Sequence, residues 1–233
     1  MPKVPKEYFT QKEDSIVAAA IRVCESKPAY AVTLRDIARE AKISTGGMYN
    51  YFTSIDEIFA RILNMAYGEF SFADEIADIF DSDKPPEQII TLSFAVIGKM
   101  IDGLYVRFGN MISEVAYLYT TDDERRKKLE ELTQINDELS EFYQKLESFI
   151  DTGITDGRFK LKVPKEQVLF LVANSIEALD DGVGFVRDNA KRFGVEVEKG
   201  MEAEKTMTIL AHVIVDLLRI ENIRIGGKSN EFS

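Results

Sequence analysis

Residues 33–52 read TLRDIAREAKISTGGMYNYF. Thr33 and, three residues later, Asp36 form a capping pair, which is typical of the first turn of a helix. Ser44 is a second N-cap residue directly ahead of another short segment with helical spacing. The stretch therefore predicts two short helices joined by a tight turn.

Small side chains are expected where these two helices touch, because helices that cross at a steep angle must approach each other closely. Ala38 and Ala41 supply them on the first helix. Met48 and Phe52, which are one turn apart on the second helix, fill the remaining gap. The pattern is that of a helix-turn-helix motif, whose second helix enters the major groove of DNA.

The second predicted helix has features that suit close contact with a DNA backbone. Ser44 as N-cap directs free backbone N–H groups and the positive helix end outward, which makes a phosphate site. Gly46 and Gly47 each cost about 1 kcal/mol relative to alanine in a helix, but they let the backbone approach the groove. Tyr49 and Tyr51 carry hydroxyls that reach phosphate oxygens, and such contacts position a protein without reading sequence.

Residues 10–60 resemble the TetR family of bacterial transcriptional regulators. The matching signature is Thr33-Leu34-Arg35-Asp36-Ile37-Ala38 followed by Ser44-x-Gly46-x-Met48-Tyr49-x-Tyr51-Phe52. The resemblance implies that the phosphate contacts come from Thr33, Tyr49 and Tyr51. It implies that the groove-facing residues are Arg35, Thr45, Gly47 and Asn50. A bidentate contact from Arg35 to guanine contributes about 1–3 kcal/mol of discrimination where it is made.

The chain departs from the family pattern at two positions. Lys42 stands in the turn where the family usually has glycine, and a left-handed backbone there strains a lysine by roughly 1 kcal/mol. Ile55 stands at the start of the fourth helix, where the family usually has lysine. One common phosphate contact is therefore in doubt, and the helix N-terminus capped by Ser54 is the remaining candidate for it.

The whole chain predicts an all-α protein of about nine helices. A capping pair at Thr10 and Glu13 predicts the start of the first helix, and one long charged helix is expected over residues 122–154. The resemblance implies a helix-turn-helix DNA-binding domain over residues 1–53 and a larger ligand-binding and dimerisation domain over residues 54–233. The fourth helix, which starts at residue 54, joins the two.

Two apolar stripes toward the end of the chain favour a homodimer. The expected interface residues are Leu171, Val172, Ser175, Leu179, Val183, Leu210, Ile214 and Leu217. Two such helices from each of two chains make a four-helix interface. The alternative is that both stripes are ordinary core of one chain. A dimer is favoured because paired recognition helices read two half-sites about 34–36 Å apart, or a multiple of that.

Aromatic and methionine side chains on the middle helices suggest an apolar pocket with a few hydroxyl anchors. The candidates are Tyr105, Phe108, Met111, Tyr117, Phe142, Tyr143 and Phe149. The occupant is an unidentified small-molecule effector, either apolar or cationic. The alternative is that these side chains are plain core.

The net charge of −11 does not by itself favour DNA, but it is unevenly distributed. Residues 1–67 hold nine Lys and Arg against eight Asp and Glu, whereas residues 68–233 hold twenty against thirty-two. The acidity therefore lies away from the helix-turn-helix. One cysteine, no signal-peptide pattern and only short uninterrupted apolar runs predict a cytoplasmic protein that does not bind membranes.

Together these features predict a ligand-responsive transcriptional regulator, namely a repressor that a small molecule releases from a palindromic double-stranded DNA operator. The alternative is a helical protein-interaction module without sequence-specific DNA binding. An enzyme is not expected, because the single histidine, His212, lies in an apolar helix stripe and no catalytic triad or phosphate loop appears. No metal site and no cofactor are expected.

Overall fold

The computed structural model describes residues 6–133, 138–192 and 203–219, with the side chains of residues 6 and 180–192 excepted. Within these ranges the chain forms eleven α-helices and one 3-10 turn, and it has no β-strand, so the predicted all-α fold is confirmed. The elements are α1 (Lys6–Cys24), the 3-10 turn (Ala29–Ala31), α2 (Leu34–Glu40), α3 (Thr45–Met48), α4 (Ile55–Glu69), α5 (Ala73–Phe80), α6 (Pro86–Phe108), α7 (Met111–Thr121), α8 (Asp123–Leu132), α9 (Glu138–Thr155), α10 (Lys165–Arg192) and α11 (Ala203–Leu218).

Two local predictions are wrong, and one helix was missed. Thr10 does not cap α1, because the helix already begins at Lys6 and Thr10 lies inside it. α5 was not predicted at all. The long helix expected over residues 122–154 is divided into α8 and α9, because α8 ends at Thr133, where the backbone turns to an extended conformation with ψ 143°.

The described chain divides into two compact units. The first contains α1 to α4, the end of α6, α7, α8 and the end of α10. The second contains α5, most of α6, α9, most of α10, and α11. This division differs from the predicted boundary between residues 53 and 54, because α4, α7 and α8 fall in the same unit as the helix-turn-helix.

In the first unit, α1 packs against α2 and α4. Ile16, Ala19 and Ala20 recur at helical spacing and are at most 1% exposed. Ile58 and Ile62 of α4 are completely buried. These side chains form a continuous apolar core beneath the helix-turn-helix.

In the second unit, aromatic rings fill the centre. Phe142 of α9 is completely buried, with its ring centroid 6.3 Å from that of Phe80 and 6.0 Å from that of Phe94. α6 crosses the start of α11 at close range, because a Cβ atom added to Gly98 would lie only 2.4 Å from the Cα of Glu204. Glycine is therefore the residue that this crossing admits.

α6 is long and apolar enough, by length and composition alone, to cross a membrane. Half of its apolar window is buried inside the protein, through residues such as Ile90, Phe94 and Ile97. Core helices of soluble proteins pass the same test, so one such helix is weak evidence for a membrane span.

Each of the two stripes predicted to form a dimer interface includes residues that the structure buries in the single chain and residues that it leaves at least partly exposed. Val172 and Ile214 are completely buried in the core of the single chain, so assigning them to the interface is wrong. Leu171 is 37% exposed, and Ser175, Leu179, Leu210 and Leu217 are half-buried. The side chain of Val183 lies outside the described residues. The apolar side chains that the stripes do expose include Phe170, Ile209 and Val213.

Candidate nucleic-acid interface

Both helices of the helix-turn-helix begin with the caps that the sequence predicts. The Thr33 hydroxyl accepts a hydrogen bond from the backbone N–H of Asp36, and the Asp36 carboxylate accepts one from the backbone N–H of Thr33. The Ser44 hydroxyl accepts a hydrogen bond of 3.0 Å from the backbone N–H of Gly47. Each cap satisfies an N–H group that has no partner within its own helix.

The Asp36 carboxylate also pairs with two basic side chains. It accepts hydrogen bonds from Lys27 Nζ at 2.5 Å and from Arg39 Nη2 at 2.8 Å. The hydrogen bonds from Lys27 and Thr33 hold the pKa of Asp36 well below its usual range. This carboxylate therefore stays ionised and fixes the start of α2.

The turn between α2 and α3 has the backbone that the sequence predicts. Lys42 has a positive φ of 54°, in the left-handed region that favours glycine. The turn closes through the backbone N–H of Ile43, which donates to the carbonyl of Ala38 at 3.0 Å. Lys42 is exposed, so its side chain is open to a ligand outside the turn.

The contact between α2 and α3 is apolar and tightly packed. Ile37 and Ala38 of α2 are at most 1% exposed. Met48 is completely buried, and Phe52 is 6% exposed. The residues predicted to join the two helices therefore do so, which leaves the opposite side of α3 toward solvent.

Most residues predicted to contact DNA lie on that solvent side. The exposed ones are Thr33, Arg35, Ser44, Thr45, Gly46, Tyr49 and Asn50. Tyr49 is 55% exposed, which is the property that a phosphate contact requires. Gly47 and Tyr51 are less open, and the ring of Tyr51 lies 5.8 Å from that of Phe9 in α1.

Thr33 is a predicted DNA contact whose hydroxyl already donates a hydrogen bond within the protein. Its hydroxyl donates to Asp36 Oδ2 at 2.6 Å. A phosphate oxygen also needs that hydrogen, because it is an acceptor. A contact from the Thr33 side chain to DNA must therefore replace the bond to Asp36.

The start of α4 follows α3 closely and is capped by Ser54, which accepts from the backbone N–H of Glu57 at 3.3 Å. The Glu57 carboxylate in turn accepts a hydrogen bond of 2.7 Å from the backbone N–H of Thr53 and another from the Thr53 hydroxyl. Ile55, in place of the basic residue usual in similar proteins, is half-buried.

A buried ionic cluster at the start of α4 was missed by the sequence prediction. Asp56 is only 8% exposed, and its Oδ1 accepts hydrogen bonds from Arg125 Nε at 3.0 Å, Arg125 Nη2 at 2.6 Å and Tyr119 Oη at 3.3 Å. Lys128 Nζ lies 3.4 Å from Oδ2 of Asp56 and donates to the Ser54 hydroxyl at 2.9 Å. The partners are 63–74 residues away in sequence, so no local motif announces them.

The electrostatics of this cluster match its burial. Burial, together with the charge of Asp56, raises the pKa of Tyr119 above its usual range. Burial disfavours the charged guanidinium of Arg125, but the hydrogen bonds and charge of Asp56 outweigh it and raise the pKa of Arg125. The guanidinium also lies 5.5 Å from the centroid of the Tyr119 ring, within cation–π range.

A second contact binds α7 to the segment ahead of α2. Glu114 Oε2 accepts a hydrogen bond of 2.6 Å from the backbone N–H of Ala29. Burial and the charge of Glu114 raise the pKa of the neighbouring Cys24 thiol to about 11. That thiol is therefore protonated at neutral pH and is a packed side chain rather than a nucleophile.

The predicted pocket residues fall into both units. In the first unit, Phe108 and Met111 are buried and Tyr105 is half-buried, but Tyr117 is 68% exposed, so placing Tyr117 in an enclosed pocket is wrong for the single chain. In the second unit, Phe142 belongs to the packed aromatic core. Phe149 lies at the edge of an open groove of about 550 Å³.

Tyr143, next to Phe142, has a different environment from the other aromatic residues. Its hydroxyl oxygen is buried and has no hydrogen-bond partner among the described residues. Burial and the charge of Glu177 raise the pKa of Tyr143 to about 12, so the hydroxyl keeps its proton. It is therefore an available donor inside the second unit.

Residues 16–62 match the family model described as bacterial regulatory proteins, tetR family. Over 185 residues the chain is 25% identical to the uncharacterized HTH-type transcriptional regulator YfiR of Bacillus subtilis (strain 168), an overlap of 78% of this chain and 82% of that protein. Over 140 residues it is 26% identical to the HTH-type transcriptional repressor KstR2 of Rhodococcus jostii (strain RHA1), covering 58% and 62% of the two chains.

A solved structure agrees in fold. The TetR family transcriptional regulator PfmR from Thermus thermophilus superimposes with a TM-score of 0.59 at 16% identity, over 88% of this chain and 97% of that one. The all-α fold and the exposed helix-turn-helix define a DNA-binding transcriptional regulator. Over residues 16–62 the chain is similar to the TetR family of bacterial regulatory proteins, and its fold agrees with that of a TetR family regulator.

Proposed function

We propose that this protein is a repressor that binds a palindromic operator as a homodimer and is released from it by a small-molecule effector. The observation that carries the DNA-binding part is the exposed face of α3. Gly46 lies there with no atom within 4 Å of the position that a Cβ would take. The fold therefore does not require glycine at this position, whereas close approach of the α3 backbone to a DNA groove does.

The side chains around the exposed face of α3 have different proposed roles in DNA binding. Arg35 reaches toward base edges, together with Thr45 and Asn50. Tyr49 and the free N–H groups at the start of α3 hold phosphates. Tyr51, fixed by its contact with Phe9, presents only part of its ring to solvent and has the smaller share of the contact.

Dimerisation is supported by the apolar side chains that α10 and α11 leave exposed. Phe170 is 71% exposed, Ile209 is 66% exposed and Val213 is 44% exposed. Isolated exposed apolar residues are ordinary, but pairs one turn apart on a helix form a patch that a partner covers. Two copies supply the paired recognition helices that a palindrome needs.

An effector site in the second unit is supported by Tyr143. A buried hydroxyl without a partner costs free energy, which a ligand oxygen at hydrogen-bond distance recovers. Packed aromatic rings lie beside it, such as that of Phe142 at 5.6 Å. The effector we propose is therefore mainly apolar and carries one hydrogen-bonding oxygen. The repressor name of KstR2 supports the sign of regulation.

The domain boundary that we propose remains between residues 53 and 54, since Phe52 is the last buried residue of the helix-turn-helix and α4 starts three residues later. Residues 54–233 then hold the effector site and the dimer face. The protein works in the cytoplasm, where its DNA target lies.

The test is selection of duplexes from a random-sequence DNA library, followed by mobility-shift titration of the selected duplex. The wild-type protein should enrich an inverted repeat, whereas Arg35→Ala and Tyr49→Ala should each weaken binding of that duplex about tenfold or more. Arg126→Ala, an exposed residue of α8, is the matched control and should bind as the wild type does. Decanoic acid and decanol are then titrated as apolar probes that carry one oxygen group.

Enrichment of no repeat by the wild type would contradict sequence-specific binding and favour a protein-interaction module. Equal binding by the Arg35 and Tyr49 variants would move the interface away from α3. Release of the duplex by either probe supports the proposed effector class, and failure of both probes argues against it.

A further inference from the structure

We propose that α7 and α8 hold the helix-turn-helix in its DNA-binding orientation through the Asp56 cluster, formed by Asp56, Tyr119, Arg125 and Lys128, and that Arg125 is its central positioning residue. The inference rests on the proposed DNA-binding function. It adds a second group of residues on which that function depends, none of which touches DNA.

The first step is the burial of Asp56. A carboxylate in the first turn of a helix is favourable beside the helix dipole, and it needs no burial for that. Ser54 already caps α4. Burying a charge is costly unless it is paired and hydrogen-bonded, and here three donated hydrogen bonds converge on Oδ1 alone. A residue that serves only to start α4 does not need this arrangement.

The second step is where the contacts fall in the chain. Asp56 lies just behind α3, whereas Ala29, which donates to Glu114 of α7, lies just ahead of α2. The two contacts therefore bracket the whole helix-turn-helix at its entry and its exit. A third contact, from Asn64 Nδ2 to the carbonyl of Leu132, continues the attachment along α4 at 3.1 Å.

The third step is the composition of α8. Leu129 is the one residue of α8 that is buried. Arg125 and Lys128 lie half-buried on the same face and reach Asp56. α8 is thus attached to α4 largely by directional polar contacts. Such contacts fix an angle, and they exchange for water at less cost than a packed apolar core when a helix shifts.

The fourth step separates orientation from folding. The helix-turn-helix has its own apolar core, formed by Ile37, Met48 and Phe52 with α1. Replacing a whole buried ion pair often changes net stability little, whereas removing one partner leaves the other charge buried and unpaired and weakens the attachment that the pair made. Loss of Arg125 is therefore expected to loosen the angle of α4 while α2 and α3 keep their fold.

The experiment uses the full chain and the duplex that the wild type selects from a random library. Arg125→Met should weaken binding of this duplex about tenfold, within the range typical of coupling between sites. Arg126→Met is the matched control, because Arg126 is the next residue, is exposed and forms its ion pairs within α8, with Asp123 and Glu130. Its affinity should equal that of the wild type.

A conservative substitution that restores affinity and a double-mutant cycle distinguish positioning of the helix-turn-helix from a merely structural role. Arg125→Lys keeps the charge and should recover part of the affinity. Asp56→Asn should weaken DNA binding as well. The double variant, Asp56→Asn with Arg125→Met, should bind DNA as tightly as the single variant that binds less tightly, because both substitutions remove the same interaction between Asp56 and Arg125. Hydrogen exchange should quicken at the start of α4 and in α8, while the amides of Ile37 and Met48 keep their protection.

The outcomes are distinct. If the wild type selects no duplex, the proposed function fails. If it selects one and Arg125→Met binds it with unchanged affinity, the function stands and this inference is overturned. A third outcome is that the losses in affinity are additive and, across all variants including Arg125→Lys, follow the losses in the free energy of unfolding. The cluster then only stabilises the fold, and this inference is overturned as well.

Discussion

Gly46 is the residue at which folding and DNA binding make opposite demands. Helical glycine in open space is replaced by alanine with a gain, so Gly46→Ala should raise the free energy of unfolding by roughly 0.5–1 kcal/mol. The added methyl group stands where the backbone is expected to approach the groove, so binding of the selected duplex should weaken. Urea unfolding and mobility-shift titration measure the two effects.

Gly68 provides the control for this prediction. It lies in α4, is exposed and, like Gly46, has no atom within 4 Å of an added Cβ. Gly68→Ala should therefore stabilise the protein by a similar amount and leave the affinity for DNA unchanged. A Gly46→Ala variant that is more stable and binds DNA normally would show that α3 does not approach the duplex closely.

Asp36 makes stability depend on pH. Its pKa is lower in the folded protein than in the unfolded chain, so the stabilisation is fully present above the unfolded pKa of about 4 and is lost as the pH falls toward the folded value. Asp36→Asn should lower the free energy of unfolding at pH 7 by about 1–3 kcal/mol, since charge-assisted hydrogen bonds are lost. At pH 3 the difference between the two proteins should be smaller.

Urea unfolding at the two pH values checks this expectation. Asp74→Asn removes an exposed carboxylate of α5 and is the control, with little effect at either pH. A difference between wild type and Asp36→Asn that grows on acidification would contradict the stabilising role of the ionised carboxylate.

At the scale of the elements, local patterns carried the predictions that were confirmed. The caps at Thr33 and Ser44, the left-handed turn at Lys42 and the buried pair Met48 and Phe52 all depend on residues within about one turn of each other. Hydrophobic periodicity and capping are local by nature, and a single sequence displays them fully.

What the sequence did not reveal depends on contacts between distant segments. Nothing near Asp56 indicates that Arg125 will neutralise it, because an aspartate in the first turn of a helix is common and is usually solvated. The division of residues 122–154 failed for a related reason: the apolar spacing continues across Thr133, so periodicity predicts one helix where the backbone makes two.

The interface stripes show the same limit. On α10 and α11, apolar residues cover more than one face, and spacing does not tell which face meets the core. The structure assigns Val172 and Ile214 to the core and leaves Phe170 and Ile209 exposed. The width of each apolar stripe was the available signal that the helix packs on more than one side, because a helix that packs on one side alone needs only a narrower apolar stripe.

At the scale of the whole molecule, charge and assembly act together. The excess of acidic residues lies behind residue 67, so DNA is met by the nearly neutral part of the chain. A single copy with so few cations releases few counterions and binds DNA weakly. Occupancy of an operator at physiological salt is therefore expected to depend on the proposed homodimer, in which each of the two copies adds its own contacts.

This dependence gives the last prediction. Ile209→Glu combined with Val213→Glu places two charges on the exposed face of α11 and should convert the dimer to a monomer in sedimentation experiments. Affinity for the full inverted repeat should then fall steeply, whereas affinity for a single half-site should stay near the wild-type value, because each helix-turn-helix is intact. Val106→Glu, at an apolar position that is 81% exposed in the first unit, is the control and should leave both properties unchanged. A doubly substituted protein that still sediments as a dimer would place the interface elsewhere than on the α11 face.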